Sequence, residues 1–338
     1  MFFNYFKNYL LVVISVVLVL IAGFRPVGFD PDSVAYSGFV HGFSGLRSID
    51  VMDKEPGFWF LLYISQLVFD KSVTSFFLLY AFISVSIKVI LYKRLSPFPF
   101  LSIILYIATY YILHDMNQIR IGLACAILLW SLQDIIKRNV LSFAFKIFIA
   151  TLFHYSAIIG VVFYLFKTDR LNKVLYFTAP IICSIFLFFK DTIFEYSVFA
   201  ASYLPSFLEA KVKTYVSLQQ QGVFDADNLL IFNVGGGVVF IILSVFIFLN
   251  NPSDNKGFSE KLEILLIKLL SLQLVLGETL AFNSELSNRF FTLLGFITIP
   301  LLLPKLIKYI HPNWIAVVIV LLYATRQLYS SITGVFIY

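Results

Sequence analysis

Four short stretches of this chain combine residue types able to hold an anion or move a proton. His114-Asp115-Met116-Asn117-Gln118-Ile119-Arg120 leads into an apolar helix that continues through Leu129. On a helix beginning there, Asn117 and Arg120 share a face at i, i+3, and His114 and Gln118 share one at i, i+4. A guanidinium beside first-turn amides favours a phosphate-bearing ligand; the competing reading is an arginine that snorkels to headgroups. His154 stands in Thr151-Leu152-Phe153-His154-Tyr155-Ser156 with apolar sequence on either side. Ionisable groups at membrane depth are costly and mark function, and an imidazole suits a base that activates a hydroxyl; the alternative is a buried neutral ring bonded to a carbonyl. Glu55-Pro56-Gly57-Phe58 places a carboxylate just before a short aromatic-rich segment, at the lip of a cavity. Glu278, Glu285 and Arg289 bracket Glu285-Leu286-Ser287-Asn288-Arg289, where Arg289 would join Arg120 in clamping a diphosphate or would simply pair with Glu285 at i, i+4.

These residues need elements that carry them, and composition says which. Of 338 residues, 60% are hydrophobic, 18% aromatic and only 13% charged, against roughly a quarter charged in soluble domains. A water-facing surface cannot be assembled from that, and a sizeable soluble catalytic domain is excluded. Long continuous runs such as Leu10 to Phe24 exclude the dyad alternation of an outer-membrane barrel. The expected fold is an all-α polytopic membrane protein of about 9–11 transmembrane helices forming a single integral membrane domain over 1–338. Cys125 and Cys183 sit inside apolar runs and suggest neither disulfide nor zinc. The net charge of +6 is scattered through short loops, which points to topology and anionic lipid rather than nucleic acid. Lys7 and the run to Phe24 imitate a signal peptide, but without an A-x-A-like site they read as an uncleaved first span.

Two runs have awkward lengths: 57–69 is short for a crossing, and 140–166 is long and interrupted by His154. If 57–69 dips and returns, and 140–166 is two half-depth segments turning at His154, then Lys88, Lys93, Arg94, Lys137, Arg138, Lys167, Arg170, Lys173, Lys305 and Lys308 all fall in the cytoplasm. That arrangement, about nine full crossings plus two broken elements, is preferred to eleven crossings. It puts the outer loop 25–56, the segment 114–120, the tip at His154, the long outer loop 190–228 and the segment 282–289 on one face. Loop 190–228 interleaves aromatics, including Tyr215, with Gln, Glu and Lys, which suits either a partly amphipathic interfacial helix or a lid over a sugar chain. Asp30-Pro31-Asp32 has D-x-D spacing, but one such match predicts no metal.

The order Glu55-x-Gly57-Phe58, then Gln118-x-Arg120-x-Gly122-Leu123-Ala124, then Phe153-His154-x-Ser156-Ala157, then Arg289 before an aromatic helix resembles the EpsG-like family of Wzy-type bacterial polysaccharide polymerases. Family members more often show Arg-Gln, whereas here Gln118 precedes Arg120 by two. The resemblance implies a GT-C-like glycosyltransferase of the bacterial cytoplasmic (inner) membrane. It would act on O-antigen, capsule or exopolysaccharide repeat units carried on undecaprenyl diphosphate, at a site facing the periplasm or exterior. No cofactor and no metal are implied, and a chain-length regulator is a candidate partner. On that reading Arg120 and Arg289 hold the diphosphate and His154 is the base. Glu55, Glu278, Glu285, His114, Asn117, Gln118 and Tyr215 are candidate substrate-binding residues, with Glu55 or Glu278 as alternative bases. Rival readings are a lipid-linked oligosaccharide flippase, which the absence of an internal repeat disfavours, and a membrane O-acyltransferase.

Overall fold

The computed structural model describes residues 2–45, 54–203, 209, 212–214, 217, 230–251 and 257–336, which are helical almost throughout, with no strand among the described residues. Among the described residues, seven helices, at 5–23, 73–95, 99–117, 119–137, 173–200, 284–308 and 313–333, are long and apolar enough to cross a bilayer. Shorter apolar helices occupy 56–69, 140–153, 155–165 and 234–249. The chain is a multi-pass membrane protein. Its large exposed side chains, such as Phe82, Leu141, Phe145 and Phe188, are at home against hydrocarbon and would be untenable in such numbers in water.

Two compact units are distinguished: residues 1–164 with 299–338, and residues 165–298. In the first, α1 (Phe2–Gly23) packs along α4 (Val73–Leu95). The guanidinium of Arg25, just beyond α1, lies 3.7 Å from the ring of Phe77 near the start of α4, so the two helices run antiparallel. Between them, the stretch read as loop 25–56 contains a helix, α2 (Pro31–Gly42). Asp30 caps it by accepting from the Ser33 N–H at 2.9 Å and also pairs with Arg25 at 3.0 Å, while Pro31 supplies the preset φ of a first helical residue. The D-x-D carboxylate at Asp30 is therefore spent on a cap and a buried ion pair. Helix α3 (Pro56–Phe69) is short because Pro56 starts it and Asp70, at φ 54°, ends it. Its Phe58 ring packs on Phe76 and its Phe69 lines a concavity with Ser75, so both ends stay near the start of α4, as a dipping segment requires.

Helix α5 (Pro99–Tyr106) continues as a π-helix over Ile107–Asn117 and breaks at Gln118, after which α6 runs Ile119–Lys137. The sequence suggested one helix opening at His114. Instead His114 to Asn117 close the preceding helix, because the wide π-turns end at Gln118, whose N–H donates to the Leu113 carbonyl at 2.7 Å. Gly122 makes this tight reversal possible: a Cβ there would lie 1.9 Å from the His114 carbonyl oxygen. A two-residue turn then joins α6 to α7 (Val140–Phe153). Arg138 takes a left-handed φ of 56° and the Asn139 side chain caps α7 through the Ser142 N–H.

The run 140–166 is two segments that turn at His154, whose extended backbone separates α7 from a 3₁₀ helix over Tyr155–Leu165. Phe143 stacks near Tyr164, with centroids 5.0 Å apart, and Arg138 donates to the Tyr164 carbonyl at 2.9 Å. Both legs therefore begin and end at the same level, and His154 is the tip of a hairpin. One expectation fails: Lys88 is not a solvated marker of the cytoplasmic side. It is fully buried and its Nζ lies 2.6 Å from Asp115, a residue the topology had put on the opposite face. Lys305 is also fully buried. Lys93, Arg94, Lys137 and Arg138 remain exposed, at the ends of α4 and α6 away from Gln118.

In the second unit, α8 (Lys173–Cys183) passes through a 3₁₀ turn (Ser184–Phe189) into α9 (Lys190–Ala201). Helix α10 (Val234–Leu249) and α8 flank α11 (Phe258–Thr279), and α12 (Ser284–Leu302) follows, with its residues from Ile299 on counted in the first unit. Ser271 and Lys268 of α11 donate to the carbonyls of Tyr176 and Lys167 at 2.8 and 2.7 Å. The first unit closes with α13 (Asn313–Phe336), which packs on the π-helix.

Candidate functional site

The α6–α7 turn decides which residues meet. Helix α7 has 14 residues against the 19 of α6, so at 1.5 Å per residue its tip stops about 7 Å short of the start of α6. His154 thus lies a little more than one turn below Arg120, and the gap is filled from a third element. Glu55, the residue before α3, presents one carboxylate oxygen to the Arg120 guanidinium and the other to His154 Nδ1 at 3.0 Å. Gly57 allows the approach, since a Cβ there would lie 2.7 Å from the Leu152 carbonyl oxygen and 2.8 Å from the Phe153 ring. Gly57→Ala is expected to push α3 off α7 and separate Glu55 from His154. Misplacement by about 1 Å can cost on the order of 10²-fold in rate, so whatever activity the cluster supports should collapse while protein level in the membrane holds.

Tyr36 completes the cluster. The Asp32 backbone N–H donates to Asn117 Oδ1 at 3.2 Å, which ties the start of α2 to the Gln118 break. One turn on, Tyr36 hydrogen-bonds Arg120. Burial holds the Tyr36 phenol neutral, well above its ordinary range. For Glu55, burial pushes the carboxyl up. The hydrogen bond to His154 and the Arg120 and His154 charges outweigh it and bring the pKa down to about 2. A carboxylate so depressed stabilises the fold fully above its unfolded value, and that contribution is lost as pH falls toward about 2. The difference in melting temperature between the wild type and Glu55→Gln should therefore shrink as pH falls below about 5.

Three sequence-derived residues, Glu55, Arg120 and His154, are brought together in the first unit. His114 is buried against the Tyr110 ring and serves the break through its backbone; Asn117 ties α2; Gln118 is the half-buried break itself. In the second unit Arg289 pairs with Glu285, the i, i+4 alternative considered for them. There too Glu278 Oε1 accepts the Ile231 N–H at 2.6 Å, at the entry to α10. Tyr215 lies outside the described residues. Sequence reasoning missed Tyr36, although Asp30-Pro31 is the start signal of the helix that carries it. It also missed the partnership of Lys88 with Asp115, for which two distant positions gave no local sign.

The cluster joins an imidazole, a carboxylate held ionised and a guanidinium that is 22% exposed where its partners are about 5%. It can take a proton at an imidazole while holding an anion at an arginine. The model of the EpsG family matches residues 8–334. The amylovoran biosynthesis protein AmsC of Erwinia amylovora is 31% identical over 153 residues, 44% of this chain. That match spans only 41% of the AmsC length. No solved structure matches.

Proposed function

Since the chain belongs to the EpsG family, we propose that it polymerises polysaccharide repeat units as a membrane glycosyltransferase. The growing glycan passes from undecaprenyl diphosphate to the non-reducing end of an incoming lipid-linked unit. Glu55 carries the proposal, because it bridges His154 and Arg120. His154, whose Nδ1 faces Glu55, takes the proton of the acceptor hydroxyl, and the carboxylate stabilises the imidazolium that forms. The acceptor oxygen forms a bond to the anomeric carbon as the bond to the diphosphate breaks. The electron pair leaves with the diphosphate, whose developing charge Arg120 stabilises. The proton on His154 then passes to solvent. Arg120 Nε is buried with no hydrogen-bond partner among the described residues, and such a donor is costly until an acceptor such as a phosphate oxygen reaches it.

Sidedness follows the charges. Exposed Lys93, Arg94, Lys137 and Arg138 lie at the ends of α4 and α6 away from Gln118, and the positive-inside rule supports a cytoplasmic position for those ends, with the Glu55 cluster on the outer face of the inner membrane. The relative's role in amylovoran biosynthesis supports a polymer of the exopolysaccharide kind. Cells lacking the protein should accumulate lipid-linked single repeat units on the outer face and make no polymer. Accumulation on the inner face would point to a flippase instead, and normal polymer would end the proposal.

A further inference from the structure

The geometry points to a binding groove for the isoprenoid chain of the substrate, on the flank formed by α4, α6 and α7. This rests on the reading of the Glu55 cluster as a lipid-diphosphate site. A groove of about 320 Å³ is lined by Ile83 and Ile87 of α4, Leu123, Ile127 and Trp130 of α6, and Phe145, Lys146, Ile149 and Phe153 of α7. The only polar side chain among them, Lys146, is turned to Asp134 at 2.5 Å and lies 4.4 Å from the Trp130 ring centroid, so the groove offers hydrocarbon alone.

Continuity identifies the occupant. On α6, Arg120, Leu123, Ile127 and Trp130 fall at i, i+3, i+7 and i+10, one stripe that begins at the anion-binding guanidinium and runs down the groove. On α7, Phe153 precedes His154 directly, and Ile149 and Phe145 follow at four-residue steps away from it. On α4, Ile83 lies one turn beyond Tyr80, which is within electrostatic reach of Tyr36, Arg120 and Glu55. All three helices thus lead away from the polar cluster toward the exposed lysines and arginines. A ligand with a diphosphate at Arg120 and an apolar chain attached to it matches that polarity, and the two phosphates offer the guanidinium more acceptor oxygens and charge than the single phosphodiester of an ordinary two-chain lipid. From Leu123 to Trp130 the groove is about 10 Å long, which accommodates the isoprene units nearest the diphosphate and leaves the rest of a long chain in the bilayer.

The purified full chain in nanodiscs provides the test, with inorganic diphosphate and farnesyl diphosphate as probes and Trp fluorescence as the readout. The wild type should bind farnesyl diphosphate at least about tenfold more tightly than inorganic diphosphate, because only the former buries chain in the groove. Filling the groove with Ile127→Trp or Ile87→Trp should erase that difference and leave inorganic diphosphate binding unchanged. Phe145→Ala, at an exposed position that leaves the core intact, should weaken farnesyl diphosphate alone. Arg120→Ala should weaken both probes. Filled variants that keep the preference, or phosphatidylglycerol competing as well as farnesyl diphosphate does, would overturn the groove while sparing the function. Arg120→Ala leaving both affinities intact would overturn the lipid-diphosphate reading itself.

Discussion

His154→Ala is expected to lower repeat-unit polymerisation by about 10² to 10⁴-fold, the range a positioned general base contributes, with the protein still in the membrane at wild-type level. The retained level follows from the position of His154: it is the tip residue of a hairpin, in extended backbone, and the packing of α7 against α6 and the 3₁₀ leg rests on Phe143, Ile147 and Ala150 below it. Gel profiles of extracted polymer should lose the long chains and keep the single unit. Glu55→Gln discriminates further. The amide can accept from only one side, so either the Arg120 bridge or the orientation of His154 is lost. Its defect should approach that of His154→Ala, and the double variant should be no worse than the more severe single, because the two residues act as one unit. Additive losses would separate Glu55 from the base. Polymer of full length in His154→Ala would remove the histidine from the chemistry.

Much of this cluster was legible beforehand, and the reason is geometric. Two of the motifs pair a reactive side chain with a glycine two positions on, Glu55 with Gly57 and Arg120 with Gly122, and each glycine is where one backbone approaches another. The His154 turn was visible because an ionisable group interrupts a run too long for one span, and the hairpin explains the length. What stayed hidden depends on pairing across the bundle. Helical spacing made one continuous helix from His114 onward look natural, since a π-turn leaves no mark in an apolar sequence. Counting lysines by loop made Lys88 look like a topology signal, although a carboxylate 27 residues along the chain neutralises it in the interior. Tyr36 gave no local sign because 25–56 reads as an outer loop, whereas two contacts, Arg25 with Asp30 and Asn117 with the Asp32 amide, fold that stretch onto the helices.

That hidden pair yields the second large effect. Lys88→Met should strip most of the protein from the membrane, because it leaves Asp115 buried with only the Ser84 and Tyr106 hydroxyls, at 2.6 and 2.5 Å, to satisfy it. Breaking one side of a buried pair costs about 3–5 kcal/mol, against a total stability of roughly 5–15 kcal/mol. Asp115→Leu should be comparably severe, since it removes the carboxylate that neutralises the buried ammonium. The double variant Lys88→Met/Asp115→Leu removes both charges and should regain much of the lost melting temperature in detergent, because an apolar pair of similar volume is often no worse than a buried ion pair. Its polymer output is the informative quantity. Asp115 sits in the last turn of the π-helix, five residues before Arg120, and the pair pins that turn to α4. If the charges serve stability alone, the double variant polymerises normally. If they set the register at which the chain breaks at Gln118, the double variant is stable yet slow, with its defect in the arginine's anion affinity, measured directly with inorganic diphosphate. The second result is expected, because Leu or Met at these positions can fill the space without specifying which turn of the wide helix ends it.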